Sequence, residues 1–240
     1  AQAKRLRPAR APQAWPTGDA WTGRLGDRSA WPLYRDLFRQ WIDHEGGADV
    51  LSQALPALMP GCAAAAFHGL IRSAHAAQVG HRGELADGLA HWASCHLPLG
   101  GLPPVDATEA DPVVLLRHLR AGRSRAPLIA GRIADAARGG AVNREIAALH
   151  IDDQTPERLA RAAALAYTET GNFTALHLVT ATHAMRIVAR FADDAPAAWR
   201  WFWQAWAHGV VAARLQPGPP VRVRSWPELV AAALASDDEH

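Results

Sequence analysis

The sequence is poor in lysine and cysteine. Its 240 residues contain one lysine, Lys4, against 24 arginines, and two cysteines, Cys62 and Cys95. The formal net charge is only +2, which gives no strong attraction to nucleic acid. Both cysteines lie in apolar helical patterns and nothing indicates export, which favours reduced thiols over a disulfide. We therefore expect no nucleic-acid partner and two free, buried thiols.

Long hydrophobic runs are absent as well. No apolar stretch approaches the ~20 residues that a membrane-spanning helix needs. The N-terminal stretch AQAKRLRPARAPQA (1–14) is basic but has no apolar core of the kind found in signal peptides. We expect no membrane partner and a cytoplasmic location.

Alanine and tryptophan, in contrast, are abundant, with 52 and ten residues. Alanine favours helix and lets helices approach closely, and tryptophan supplies the bulk that alanine lacks. Apart from the short stretch PVRVRSW (220–226), no alternating strand pattern of useful length occurs. These features predict an all-α fold, a single compact multi-helix domain with little or no sheet.

Helix signals begin near residue 31. Residues 1–30 are rich in Pro, Gly and Arg and have no clean period, so we predict a tail or wrapping segment for 1–30 and a helical domain for 31–240. Thr155 and Pro156 mark the start of one helix and Gly171 its end. Other helices are predicted over 61–80, 84–97, 111–121, 126–138, 173–191 and 227–236.

The alanine-rich helix predicted over 61–80 carries two imidazoles. On a straight helix His68, Arg72 and His75 share one face. That face is either the polar side of an amphipathic helix or the lining of a pocket. Because His68 and His75 are about 10 Å apart along the axis, one metal ion should not bind both.

The helix predicted over 173–191 carries two more imidazoles. His177 lies on an apolar stripe, where a hydrogen-bonded core histidine and a functional histidine both fit the pattern. His183 falls nearer the polar side, with Arg186. The two histidines are about 120° out of phase, so they could share one centre only between neighbouring helices or on a distorted helix.

Other motifs are weaker. Asp87, His91 and Cys95 have the i, i+4, i+8 spacing of metal ligands, but such a triplet often arises by chance in a histidine-rich chain. No Gly-rich dinucleotide fingerprint, P-loop or nucleophile elbow occurs, which argues against a flavin or nicotinamide held in a Rossmann domain. Several tryptophans could line an aromatic pocket, although ordinary core packing is the more common role of such residues.

Three stretches resemble the questin oxidase-like family: LMPGCAAAAFHGLIRSAHA (59–76), LADGLAHWASCHLPL (85–99) and FTALHLVTATHAMRIV (173–188). Within them, FHGLIR and LHLVTATHAMR are the most specific. The resemblance implies an all-helical fold without a flavin domain. It also implies a non-haem iron oxygenase that acts on an aromatic polyketide-type substrate by Baeyer–Villiger or ring-cleaving oxidation.

The same resemblance implies a set of metal ligands. It makes His68, His177 and His183 candidate ligands, with His240 as a candidate fourth. The terminal stretch SDDEH resembles the start of a family segment that continues to a lysine, and the sequence ends at His240 before any such lysine. Two explanations stay open, namely a lysine ligand beyond these residues or a centre without one.

One departure from the family concerns Arg72. Fungal members tend to have a second histidine four residues after the first, where this chain has an arginine. A guanidinium cannot replace an imidazole as a ligand, but it can hold an anionic substrate oxygen. We therefore expect Arg72 and His75 to be the catalytic side chains, outside the ligand set.

The resemblance finally implies a cofactor and partners. We expect Fe(II) as the cofactor, NADPH as a candidate diffusible reductant, and a small aromatic substrate and dioxygen as partners. Two alternatives stay open. One is a non-catalytic helical binding or accessory protein on the same scaffold, and the other is a cofactor-independent oxygenase that uses a histidine as base. Metal content and turnover separate the three.

Overall fold

Eleven α-helices account for most of the chain that the computed structural model describes, which is residues 18–119, 124–138, 140, 142–215 and 225–236. Within these residues there is no β-strand, and an isolated bridge joins Glu109 to Leu149. The predicted all-α fold class is confirmed. The helices are α1 (Trp31–Glu45), α2 (Gly47–Leu58), α3 (His68–Val79), α4 (Arg82–Ser94), α5 (Pro112–Leu116), α6 (Ile129–Arg138), α7 (Asn143–Ala148), α8 (Thr155–Thr170), α9 (Phe173–Val188), α10 (Ala195–Ala213) and α11 (Trp226–Leu234).

A short connection joins α8 to α9 and sets where α9 begins. Gly171, with a φ of +57°, ends α8 as predicted, because its N–H reaches back to the carbonyl of Tyr167. The side chain of Asn172 then accepts a hydrogen bond from the N–H of Thr174 at 2.8 Å and caps α9. This connection places His177 in the second turn of α9.

The start of α3 differs from the prediction. The helix begins at His68 and not at residue 61, because residues 62–67 form turns. Phe67 is fully buried, and its ring centroid lies 6.1 Å from that of Phe202 on α10. This tertiary packing outweighs the helix propensity of the four alanines that precede Phe67. The prediction of one continuous helix over 61–80 is therefore wrong in its first part.

Two other helices also differ from the prediction. The helix predicted over 111–121 ends at Leu116, and residues 117–118 continue as a turn. The helix α7 was not predicted, because its six residues are too few to show a clear period. The strand candidate at 220–226 lies mostly outside the described residues.

Glycine lets α3 and α4 approach closely. A Cβ atom on Gly69 would lie 2.6 Å from the Cα of Trp92, and one on Gly88 would lie 2.9 Å from the N of Ser73. Trp92 is fully buried by this contact with the start of α3. The crossing therefore fixes the helix turn that carries His68.

On its other side α3 packs against α9. His68 faces His177, and His75 faces His183 further along both helices. Because the facing residues rise together in number, the two helices run parallel. The prediction that His68 and His177 lie on two helices that pack together is confirmed.

Residues 18–30 lie against α1. They form two short 3₁₀ segments, and the buried ring of Trp21 makes edge contacts with Tyr34, Phe38 and Trp41. Residues 1–17 are outside the described part of the chain. The domain boundary at residue 30 stays a prediction.

Both cysteines are free. Cys62 is buried, its thiol donates to the carbonyl of Trp201 at 3.7 Å, and burial raises the pKa of this thiol to about 12. Cys95 is only half-buried, at the end of α4. The predicted free thiols are confirmed, but the prediction that both are buried is wrong for Cys95. None of the helices in the described residues combines the length and apolar character needed to cross a membrane.

Candidate functional site

Two histidine rings meet at the α3–α9 interface. The ring centroids of His68 and His177 are 5.1 Å apart, with their planes at 89°. His177 is 7% exposed, whereas His68 is open to solvent. The pair therefore combines a ring that is fixed within the protein with a ring that a ligand can reach.

Backbone carbonyls fix the tautomer of both rings. The Nδ1 of His68 lies 2.6 Å from the carbonyl oxygen of Ala65, and the Nδ1 of His177 lies 2.8 Å from that of Phe173. A carbonyl oxygen only accepts hydrogen bonds, so Nδ1 carries the proton in each ring. The lone pair of each neutral imidazole is then on Nε2, as in histidines that bind a metal.

Burial favours the neutral form of His177. It lowers the pKa of His177, while the hydrogen bond to Phe173 acts in the opposite direction and the charge of His68 lowers the pKa further. A neutral imidazole is the form that coordinates metals and accepts protons.

A left-handed turn presents His68. Ala65, Ala66 and Phe67 have φ values of 47°, 59° and 67°. Left-handed backbone costs an L-residue roughly 1–2 kcal/mol, so such conformations persist only where the surrounding structure enforces them, and they cluster at functional sites. Here the turn buries Phe67 in the core, directs the Ala65 carbonyl to the His68 ring and leaves that ring at the surface.

This turn leads to a stability prediction. We expect Ala65→Gly to raise the free energy of unfolding by about 1 kcal/mol, because glycine adopts a positive φ without a Cβ penalty. Ala64→Gly is the matched control. Ala64 lies outside the positive-φ run, so this change should lower stability by about 1 kcal/mol. Urea denaturation of both variants measures the difference, and equal destabilisation by the two changes would contradict the strained turn.

The separation of the two rings fits a shared metal ion. With metal–Nε2 distances of about 2.1 Å and bond angles of roughly 90–109°, two imidazoles on one ion have centroids about 4.6–5.3 Å apart. The observed 5.1 Å lies within this range. The donor set is also suitable, because neutral imidazole is a good ligand for iron and other transition metals.

The structure does not bring His183 to this pair. The ring of His183 lies opposite His75, with centroids 6.3 Å apart. Six residues of helix separate His183 from His177, which is an advance of about 9 Å. His240 is outside the described residues. In the part of the chain that is described, no three His, Cys, Asp or Glu side chains form a group suited to a metal ion.

His91 on α4 is a neighbour of the pair, and the sequence marked it only as part of the weak Asp87, His91 and Cys95 spacing. Burial lowers the pKa of His91, and the charges of Arg72 and His68 lower it further, so these three side chains share one region. The three residues with ligand-like spacing, Asp87, His91 and Cys95, do not form one site. Asp87 forms ion pairs with arginines of α1. Cys95 lies near His91, with its sulfur 3.8 Å from Nδ1. The position of His91 depends on the contact of Gly69 with Trp92, the residues that follow His68 and His91 directly. No pattern within one helix contains this contact.

Arg72 is held by a carboxylate. Its Nε and Nη2 atoms each lie 2.8 Å from Oε1 of Glu84, and both side chains are partly exposed. An exposed pair of this kind contributes about 1 kcal/mol or less to stability. Glu84 therefore orients the guanidinium one helical turn beyond His68 without burying its charge.

Of the aromatic residues, Phe173 is the one that borders the pair. Its ring is 61% exposed and meets the edge of His177 with centroids 4.6 Å apart. Trp92 and Trp203 behave as core residues, since both are buried and the Nε1–H of Trp203 donates to the carbonyl of Glu145. The site thus offers one exposed aromatic face beside two imidazoles.

A comparison with known families agrees with the resemblance carried by the histidine stretches. The model of the family described as questin oxidase-like matches residues 1–240, the whole chain. No curated protein and no solved structure matches the chain. The family is named for an oxidase, which suggests an oxidoreductase acting on polyketides. This chain belongs to the questin oxidase-like family.

Proposed function

We propose that the protein is a non-haem iron oxygenase of aromatic polyketide-type substrates, with His68 and His177 as iron ligands. The observation that carries the proposal is the pair of Nε2 atoms left unprotonated by the Nδ1–carbonyl contacts, on rings 5.1 Å apart. When bound, Fe(II) would supply the one-electron chemistry that lets dioxygen react with an organic molecule. Family membership and the ring separation both support this assignment.

The two imidazoles would contribute in different ways. His177 is buried, and its Nδ1 is hydrogen-bonded to the Phe173 carbonyl, so its Nε2 is already in position. Little conformational entropy is therefore lost when a metal ion binds. His68 is exposed, and the left-handed turn limits its movement through the Ala65 carbonyl. A fixed ligand beside an accessible one leaves room for substrate, as an oxygenase requires.

Arg72 and Phe173 are the candidates for substrate binding. The Arg72 guanidinium, oriented by Glu84, can hold a phenolate or carboxylate oxygen. The exposed Phe173 ring offers a surface on which an aromatic substrate can stack. Because Phe173 also borders His177, a stacked ring would lie beside the iron ligands.

Other predicted residues have a different standing in this proposal. His75 and His183 lie about 9–10 Å further along α3 and α9 and therefore outside this centre. His240 remains a candidate additional ligand. NADPH remains the candidate reductant, since insertion of one oxygen atom leaves the second to be reduced to water by two electrons.

The test is oxygen uptake by iron-loaded protein. Protein freed of metal with a chelator is loaded anaerobically with Fe(II), and dioxygen consumption is followed with a hydroxyanthraquinone as substrate, with and without NADPH. We expect uptake and a product with one added oxygen atom only with Fe(II). Turnover that survives complete metal removal would instead indicate a histidine base, and no turnover under any of these conditions would favour a non-catalytic scaffold.

A further inference from the structure

A basic cleft lies further along the same two helices. It has a volume of about 390 Å³ and is lined by His183, Arg186 and Arg190 of the α9 region and by Gln78 of α3. No Asp or Glu is among the described residues that line it. Each of its four polar side chains can donate hydrogen bonds, and the two arginines are permanently charged.

This arrangement has a cost that an anion would remove. Arg186 lies in the last turn of α9 and Arg190 in the 3₁₀ segment Ala189–Phe191 that follows, and the repulsion between their like charges in one cleft is unfavourable. Glu157 of α8 compensates Arg186 through a 2.8 Å contact. Arg190 has no ion pair among the described residues. The nearest acids in sequence bond elsewhere, since Asp193 accepts from Ser52 and Asp194 caps α10.

His75 of α3 lies opposite His183, the imidazole that lines this cleft. Its ring centroid is 6.3 Å from that of His183, with the planes at 53°. This separation exceeds the roughly 4.6–5.3 Å expected for two imidazoles at adjacent positions on one ion. The wider spacing leaves room for an oxygen-bearing group between the two imidazoles.

A smaller, mainly apolar cleft adjoins the basic one. It has a volume of about 190 Å³, shares Ala77 and Phe191 with the basic cleft, and is lined also by Leu51 and Leu85, with His81 and Arg82 as its basic residues. The half-buried ring of Phe191 thus separates a basic space from an apolar one. A molecule with a charged head and a compact apolar body would match both spaces.

We infer that these adjoining clefts bind a small organic oxyanion, a carboxylate or a phosphate monoester. Arg190, Arg186 and His183 would bind the oxyanion, and Phe191 would contact the apolar body of the ligand. The inference does not rest on the proposed iron site, because it uses different residues and requires no metal. It gives a role to His183, which the proposed oxygenase centre leaves unused.

Titration calorimetry with four simple probes tests this inference. The probes are benzoate, phenyl phosphate, inorganic phosphate and the neutral benzyl alcohol, in buffer that contains a metal chelator. We expect benzoate or phenyl phosphate to bind in the millimolar range or tighter, and benzyl alcohol to bind at least about tenfold more weakly. The comparison of benzoate with phenyl phosphate distinguishes a carboxylate site from a phosphate site.

Variants identify the cleft as the place of binding. Arg190→Gln and, separately, His183→Gln should each weaken oxyanion binding about fivefold or more, since the first removes a permanent positive charge and the second replaces the imidazole that lines the cleft. Phe191→Ala should weaken phenyl phosphate but not inorganic phosphate. Arg144→Gln removes an exposed arginine on α7 and should change nothing. Equal affinities in Arg190→Gln, His183→Gln and the wild type, equal binding of benzyl alcohol, or no saturable binding of any anion would overturn the inference.

Discussion

His177→Ala is expected to abolish iron binding and oxygen uptake together. His177 is the buried member of the ring pair, and the hydrogen bond of its Nδ1 to the Phe173 carbonyl holds its Nε2 in position. Loss of an outer-shell partner alone costs about 10–100-fold in metal affinity, so removal of a ligand should cost more than about 100-fold. Iron content after anaerobic loading and dialysis measures the effect.

The choice of control decides how this result is interpreted. His118→Ala removes an exposed histidine in the turn after α5 and should leave both iron content and oxygen uptake unchanged. His81 is less suitable, because its Nδ1 accepts from the N–H of Glu84 and caps α4, so its loss would also change stability. Thermal unfolding of every variant shows whether the fold is retained. Full iron content in a folded His177→Ala variant would exclude His177 as a ligand.

Gly69→Ala is expected to destabilise the protein by about 3 kcal/mol, because overpacking a close helix crossing costs 1–3 kcal/mol and a backbone clash costs more. The new methyl group would lie 2.6 Å from both the Cα and the Cβ of Trp92. These atoms cannot move without shifting α4 away from α3. In a chain of this size the melting temperature should fall by roughly 6–12 °C.

Gly23→Ala is the matched control for this prediction. No atom lies within 4 Å of a Cβ built on Gly23, so its stability should stay within about 0.5 kcal/mol of the wild type. Urea denaturation gives both free energies. If Gly69→Ala is as stable as Gly23→Ala, the crossing of α3 and α4 is looser than described and His68 is not fixed by it.

The helical class and many helix positions could be predicted from local chemistry. Pro156 and Gly171 mark the ends of α8 because one suits a first helical turn and the other a left-handed cap. The same kind of reasoning failed at the start of α3. Four consecutive alanines predict helix where tertiary packing favours no other conformation. Here the burial of Phe67 against Phe202 favours a turn, and this long-range contact is not contained in any local pattern.

The candidate site could be predicted only in part, for a similar reason. Periodicity placed His177 on an apolar stripe, and this residue is indeed buried with a partner for its Nδ1. Whether His177 meets His68 or His183 meets His75 depends on how α3 and α9 pair, which periodicity within one helix cannot determine. The position of His91 likewise depends on the Gly69 crossing, a contact between two helices.

Histidine ¹⁵N NMR of the metal-free protein tests the central claim most directly, namely that the Nε2 atoms of His68 and His177 are held ready for one ion. Long-range ¹H–¹⁵N correlations distinguish the two neutral tautomers, and Zn(II) can serve as a diamagnetic substitute for Fe(II). We predict that both rings carry the proton on Nδ1 before metal is added. One equivalent of Zn(II) should then shift both Nε2 resonances in a single step, with His118 unchanged. An Nε2–H tautomer in either ring, or a response of only one ring, would contradict the account.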